Sequence, residues 1–329
     1  MQSTRIKYLD IASGIMVIWV LVFHAIYPMY GTDELKVIPW FYYFMPWFFY
    51  KAGMMFKPKD SKQEWKNSAK KLLVTFAVWS FIGWLAHIGW HLFAGDLTPR
   101  MAFYSPLRSL LLSASVPLNG ALWFLPILFL VRGIGNWLLR KNILLIGGIV
   151  GLCFTLFTLY VHIPFLPVYI GGTTWGLFFF AVGYWLRDKE TNPWIATIAA
   201  IGFVASLFTD IPSVYCGVDN MLWKVLWYPA CVCGCVTFDN VCRIVADMSL
   251  VGCSQAGGVL EHVGKNAMNY YAPHKIIFHI GFNLIIWYKE EWYSTWQGLL
   301  IVLAAYAVIL PIINCSINAL NAHRQLKKC

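Results

Sequence analysis

Apolar stretches long enough to cross a bilayer recur along the whole of this chain, and no region of soluble-domain size separates them. Crossing about 30 Å of hydrocarbon takes roughly 20 mostly apolar residues in a helix. A backbone in hydrocarbon must satisfy its own hydrogen bonds, which makes helices the expected spanning element. The spans are expected at 9–30, 39–56, 70–93, 118–138, 142–161, 169–186, 194–210, 221–238, 266–287 and 296–318. The fold class is therefore all-α: a polytopic membrane protein of about ten transmembrane helices, read as a single transmembrane domain over 1–329. The first stretch runs through His24 into Tyr27-Pro28-Met29-Tyr30 without an Ala-x-Ala-like site, so it reads as a retained helix. Seventeen tryptophans and seventeen tyrosines fit aromatic belts at both membrane faces.

A net charge of +10 raises the question of nucleic acid, but its distribution points to topology. Of the 25 basic residues, eighteen lie at the termini or toward their side, six lie opposite, and Lys51 sits inside a helix. By the positive-inside rule both termini are cytoplasmic. The partner implied is membrane lipid, not nucleic acid, in the inner or plasma membrane. The nine cysteines do not form a disulfide framework, and Cys231-x-Cys233-x-Cys235 would spray side chains to different faces of a helix. Zinc sites space their cysteines by two to four residues, so packing at helix contacts is the better reading and no metal is expected.

Three connections stand out. Lys57 to Lys71 is the longest strongly charged cytoplasmic loop, suited to anionic headgroups or to an anionic ligand. Residues 239–264 read as a second long connection containing a short interfacial helix or re-entrant segment. Gly95 to Pro117 reads as the longest outer loop, with Arg100, Tyr104 and Arg108 available to an acceptor bearing hydroxyls or phosphate, or serving a plain connector.

Within the first span, His24 is a titratable ring in hydrocarbon, a costly placement that usually faces the protein interior. It is either a general base or acyl carrier, or a ring hydrogen-bonded for packing. Other motifs are decoys. Gly258-x5-Gly264-Lys265 has the wrong spacing for a phosphate loop. His91-Leu-Phe-Ala-Gly-Asp96 matches the His-x4-Asp of glycerolipid acyltransferases but stands alone, and His87 with His91 reads as an interfacial pair rather than two metal ligands.

Several segments then occur in a fixed order. They are Arg5-Ile-Lys-Tyr-Leu-Asp10-Ile-Ala-Ser-Gly14 continuing to Val22-Phe23-His24, then Phe44-Met-Pro46-Trp-Phe-Phe-Tyr-Lys-Ala-Gly53, and then Lys70-Lys71-Leu-Leu. Leu122-Trp123-Phe124-Leu125, Phe178-Phe-Phe-Ala-Val-Gly183-Tyr184 and Val263-Gly264-Lys265-Asn266-Ala-Met-Asn-Tyr-Tyr271-Ala-Pro-His274 complete the set. Together they resemble the acyltransferase-3 family of integral-membrane O-acyltransferases. The resemblance implies an enzyme that moves an acyl group, usually acetyl from cytoplasmic acetyl-CoA, to a hydroxyl of a sugar or other envelope acceptor. Acyl-CoA would be a co-substrate, with no permanently bound cofactor, and a homo-oligomer is compatible with the sequence.

By position, His24 matches the family's catalytic histidine and Asp10 its first acidic residue. His274 and Tyr271 match the polar pair of the ninth span, while Asn266 and Trp123 match less discriminating substrate positions. Arg5, Lys70 and Lys71 are the cytoplasmic bases that would hold the donor's phosphates. Ser13 stands where the family commonly has Lys or Arg, Phe44 where it has histidine, Ala52 where it has serine, and Ala267 where it has serine. Lys51 lies about 7 Å from the cytoplasmic end of its span and Ser13 about 6 Å from the same face, so Lys51 is a candidate to supply the charge that Ser13 lacks. Asp10 would order the end of its helix, because fourteen residues place it about 21 Å from His24. The alternatives are a proton-coupled exporter of a glycan or small molecule, or a degenerate member that only binds acyl-CoA. No inverted repeat of the kind common in transporters is visible.

Overall fold

The computed structural model describes residues 7–30, 40–161, 163, 166–189, 191–212, 220–247, 254–288, 292 and 295–326. Among them the only regular structure is helical. In chain order the helices are α1 (Lys7–Tyr30), α2 (Phe44–Met54), α3 (Ser61–Ser68), α4 (Val74–Ala94), α5 (Ser105–Ser113), α6 (Phe124–Arg140) and α7 (Leu144–Val161). They continue with α8 (Val168–Leu186), α9 (Pro193–Leu207), α10 (Met221–Asp247), α11 (Ser254–Lys265), α12 (Ala267–Tyr271), α13 (His274–Tyr288) and α14 (Trp296–Leu326). Residues 1–38 with 241–329 make one compact unit and 39–240 a second.

Six helical stretches among the described residues are long and apolar enough to cross a membrane: Lys7–Ile26, Ser61–Ala94, Gly120–Arg140, Leu144–Val161, Met221–Ala246 and Trp296–His323. The span expected at 39–56 holds only the 11-residue α2, about 16 Å of helix and too short to cross unaided. The span expected at 266–287 is broken between α12 and α13 at Ala272-Pro273. Pro273 lacks an N–H and would clash with the preceding turn of a continuous helix.

In the first unit α1 packs directly on α11, and two glycines make this possible. A Cβ at Gly14 would lie 2.1 Å from the Leu260 carbonyl oxygen, and one at Gly264 would lie 1.7 Å from that of Asp10. Each helix offers a notch to the other's backbone, the small-residue packing expected where lipid removes any hydrophobic drive to associate.

The second unit repeats the device. A Cβ at Gly53 of α2 would meet the Phe180 carbonyl oxygen at 1.9 Å, and one at Gly183 of α8 would meet that of Tyr50 at 2.0 Å. Around this crossing Tyr50, Phe49, Phe179 and Phe180 are buried, with Phe49 and Trp175 edge-to-face at 4.9 Å. Trp47 Nε1 donates to Asp239 Oδ1 at 2.7 Å. Cys231 and Cys235 are fully buried, one turn apart on α10, as packing residues should be.

The charged segment 57–71 is not a free loop, and the expectation is corrected. Asp60 caps α3 by accepting from the Lys62 and Gln63 amides at 3.0 and 3.4 Å, and the chain then continues through a π-helical turn, Ala69–Leu73, into α4. Its charge is also anchored. Glu64 is fully buried and takes the Arg132 guanidinium at 2.9 Å and the Ser68 hydroxyl at 2.6 Å. Asn136 brackets Lys59 by accepting from its amide and donating to its carbonyl, both at 3.1 Å. Removing Arg132 would leave the buried carboxylate only the Ser68 hydroxyl and the longer 3.9 Å contact to Lys59, so Arg132→Ala is expected to destabilise the protein by roughly 3 kcal/mol. Thermal unfolding in detergent measures this, and a wild-type midpoint would contradict it.

The segment 95–117 is likewise mostly helical, correcting the loop expected there. α4 ends at Gly95 in the left-handed region (φ 75°), where His91 Nδ1 meets Asp96 Oδ1 at 2.8 Å, and α5 follows a π-helical turn. Residues 239–247 extend α10, and α11 occupies 254–265.

Candidate functional site

The first unit brings together side chains from opposite ends of the sequence. His24 lies on α1, half-buried, with its ring centroid 5.1 Å from that of His274 and the planes 32° apart. His274 opens α13 immediately after the proline break and is fully buried. Its Nδ1 is hydrogen-bonded to the Tyr271 carbonyl oxygen. A carbonyl can only accept, so Nδ1 carries the proton and the Nε2 of the neutral ring presents a lone pair. That Nε2 is buried and has no hydrogen-bond partner among the described residues. A buried acceptor left unsatisfied is costly unless function retains it.

Two tyrosines complete the surroundings. Tyr271 is buried, its ring 5.5 Å from that of His274. Tyr306 of α14 is also buried, 6.4 Å from the His274 ring and edge-on, and its hydroxyl has no hydrogen-bond partner among the described residues. An imidazole pair with an open lone pair and a nearby phenol can take a proton from a hydroxyl, hold it, and donate to a developing oxyanion.

Tyr306 also lines an apolar cavity of about 850 Å³, together with Ile18, Val22, Val263, Tyr270 and Leu310 among others. At the α11–α12 junction stands a cluster of carboxamides. Asn269 donates to Asn314 at 2.9 Å, Asn314 Nδ2 meets His262 Nε2 at 3.1 Å, and Asn318 donates to Asn266 at 3.3 Å.

The residues singled out in the sequence fall into distinct places. His24, His274 and Tyr271 meet. Asp10 is buried near the start of α1, where its backbone faces Gly264. Asn266 belongs to the carboxamide cluster. Ser13 is buried, and its hydroxyl donates to the Leu9 carbonyl one turn back, satisfying itself within α1. Arg5 lies outside the described residues. In the second unit Lys51 stands over the Trp47 ring at 5.3 Å, and Lys70 and Lys71 are exposed on the π-helical turn. Trp123 lines a cavity of about 420 Å³ with Trp175. Arg100, Tyr104 and Arg108 share a small polar pocket of about 360 Å³ with Ser105 and Ser109.

Sequence reasoning passed over Tyr306 and, of the carboxamide cluster, named only Asn266. Nothing separates Tyr306 from the other tyrosines before the helices pack. The cluster did leave a signal, since Asn314 and Asn318 are one turn apart in an otherwise apolar helix.

Among the described residues the structure is helical, with six helices long and apolar enough to cross a membrane and two imidazoles brought together, which defines a helical membrane protein. The family model described as an acyltransferase domain matches residues 6–314, and the chain belongs to this acyltransferase-3 family. No curated protein and no solved structure matches it. The protein is accordingly a membrane acyltransferase by family.

Proposed function

We propose that the protein is an O-acyltransferase that moves an acyl group, acetyl in the simplest case, from cytoplasmic acyl-CoA to a hydroxyl of a sugar or other envelope acceptor. The observation that carries this reading is the pairing of His24 with His274, whose Nδ1 is anchored on the Tyr271 carbonyl and whose Nε2 has no hydrogen-bond partner among the described residues. In this reading the chain sits in the inner or plasma membrane with ten membrane-embedded segments and both termini cytoplasmic. Arg5, Lys51, Lys70 and Lys71 hold the donor's phosphates, and Lys51 supplies the charge absent at Ser13. Trp123 and Asn266 contribute to substrate binding.

The chemistry balances without a further reactant. His24 removes the proton of the acceptor hydroxyl as its oxygen attacks the thioester carbonyl. In the reacting complex His24 turns its far nitrogen onto the open His274 Nε2, which accepts from it and keeps the opposite nitrogen facing the substrate. The tetrahedral oxyanion is stabilised by hydroxyl donors, Tyr306 and Tyr271 being the nearest tyrosines. Collapse breaks the C–S bond, and the proton on His24 passes to the departing thiolate, giving an ester and free coenzyme A. Asp10, about 21 Å from His24, orders the start of α1 instead of entering the reaction.

Purified protein incubated with labelled acetyl-CoA, with and without envelope glycans, tests this. Transfer or hydrolysis supports it. Binding without turnover would reduce the protein to an acyl-CoA binder, and no binding would favour the transport reading. Lys51→Ala is expected to weaken acetyl-CoA binding severalfold, and equal binding by Lys51→Ala and wild type would remove Lys51 from the donor site.

A further inference from the structure

We propose that the apolar cavity of the first unit holds the tail of an acyl group longer than acetyl, making this a chain-length-selective acyltransferase. The proposal rests on the acyl-transfer reading and names the donor class for the same site. Its starting point is size. At about 850 Å³ the cavity is at the upper end of ordinary ligand sites, far beyond the need of a two-carbon group.

Its placement gives the tail a direction. Ile18, Leu21 and Val22 of α1, the helix that carries His24, form part of the wall. Tyr306, also in the wall, is the residue whose ring stands edge-on to His274 at 6.4 Å. Tyr306 therefore joins the cavity wall to the imidazole pair, where the acyl carbonyl must sit. The cavity follows α14 from Leu303 to Pro311, about 12 Å. His262 and Tyr270, beside the carboxamide cluster, also line it. No charged lysine, arginine, aspartate or glutamate lines the cavity. An acyl chain with its carbonyl at the histidines and its methyl end along α14 matches this polarity: reactive and polar at one end, hydrocarbon along the wall.

The source of the hydrocarbon is the donor and not a membrane lipid, because only a donor chain places a reacting carbon beside His24. The two sources give different kinetics. If the donor tail fills the cavity, each added methylene raises kcat/KM by about fourfold until the space is full. If a lipid tail occupies it, longer donors gain nothing.

Gly258 is the position to alter. It lines the cavity, and a Cβ built there meets nothing within 4 Å, so Gly258→Leu adds volume without moving backbone and removes a helical glycine. Ala307→Leu on α14 is a second, independent obstruction. The experiment compares acetyl-, butyryl-, hexanoyl- and octanoyl-CoA as donors for wild type and both variants. Binding of labelled acetyl- and octanoyl-CoA is measured on the same preparations without acceptor, with melting temperature as the check on folding. The expected result is a wild-type preference for octanoyl over acetyl of at least tenfold, in transfer and in binding. Either variant is expected to cut the octanoyl-to-acetyl ratio at least tenfold. Equal use and binding of the donors, a preference for acetyl, or no binding of either overturns the assignment. Chain-length-dependent binding with no transfer would count against the acyl-transfer reading alone and leave the cavity assignment standing.

Discussion

His24→Ala lowers the rate of acyl transfer by about 10²–10⁴-fold, the contribution expected of a positioned general base. The loss appears in kcat with little change in acyl-CoA affinity, because the imidazole acts on the acceptor proton and not on the donor's phosphates. The His24 ring is half-buried and packs against His274 and Phe23, so part of any effect could come from lost packing. His24→Gln separates the two causes: it keeps a hydrogen-bonding side chain of similar reach but cannot carry the proton. Transfer by His24→Gln is expected to stay as low as by His24→Ala, with the melting temperature near wild type. A His24→Ala protein that transfers at the wild-type rate would remove His24 from the mechanism, and with it the purpose proposed for the open Nε2 of His274.

The second large effect is structural. Gly14→Ala, Gly264→Ala, Gly53→Ala and Gly183→Ala each place a methyl within about 2 Å of a carbonyl oxygen on the facing helix. No rotamer relieves this, because the obstacle is backbone on one side and a helical Cβ on the other. The helices must separate, and the cost exceeds the ordinary 1–3 kcal/mol of overpacking. Each variant is expected to lose roughly 3 kcal/mol or more and to be recovered in much lower yield, read by melting temperature and by size-exclusion profile in detergent. The comparison is internal: a Cβ at Gly89 of α4 or Gly281 of α13 meets nothing within 4 Å. Gly89→Ala and Gly281→Ala are expected to be neutral or to gain up to about 1 kcal/mol from helix propensity. Four motif glycines that behaved like these two would overturn the close crossings.

This result changes what the ordered motifs mean. Gly14, Gly53, Gly183 and Gly264 are all motif positions, and each is a place where one helix backbone touches another. The histidines of the same motifs, His24 and His274, are instead the pair with an open lone pair. One motif therefore mixes two physical roles, packing and chemistry, that a sequence cannot separate. The charged run 57–71 shows a related limit. Read along the chain it is a basic loop, but Glu64 turns inward to meet Arg132, 68 residues away. That contact, with the Asp60 cap and the Asn136 bracket on Lys59, turns a hydrophilic stretch into a folded element.

By itself the sequence determined that the chain is helical and apolar along its length, that it belongs with membrane proteins, and which family motifs it carries. These follow from quantities summed locally: the transfer free energy of successive side chains and the need of a backbone in hydrocarbon to bond within its own helix. The break at Pro273 falls inside the stretch expected as one span over 266–287, where the apolar run masked a proline whose missing donor interrupts its own helix. Tertiary structure alone decided which polar groups meet. His24 and His274 are 250 residues apart, and Tyr306 comes from a third helix. Their approach depends on how the helices of the first unit seat against one another, set by glycine notches and side-chain volumes that act only once the helices have packed. The apolar cavity is the clearest case, because it is a property of the space the packed helices leave between them.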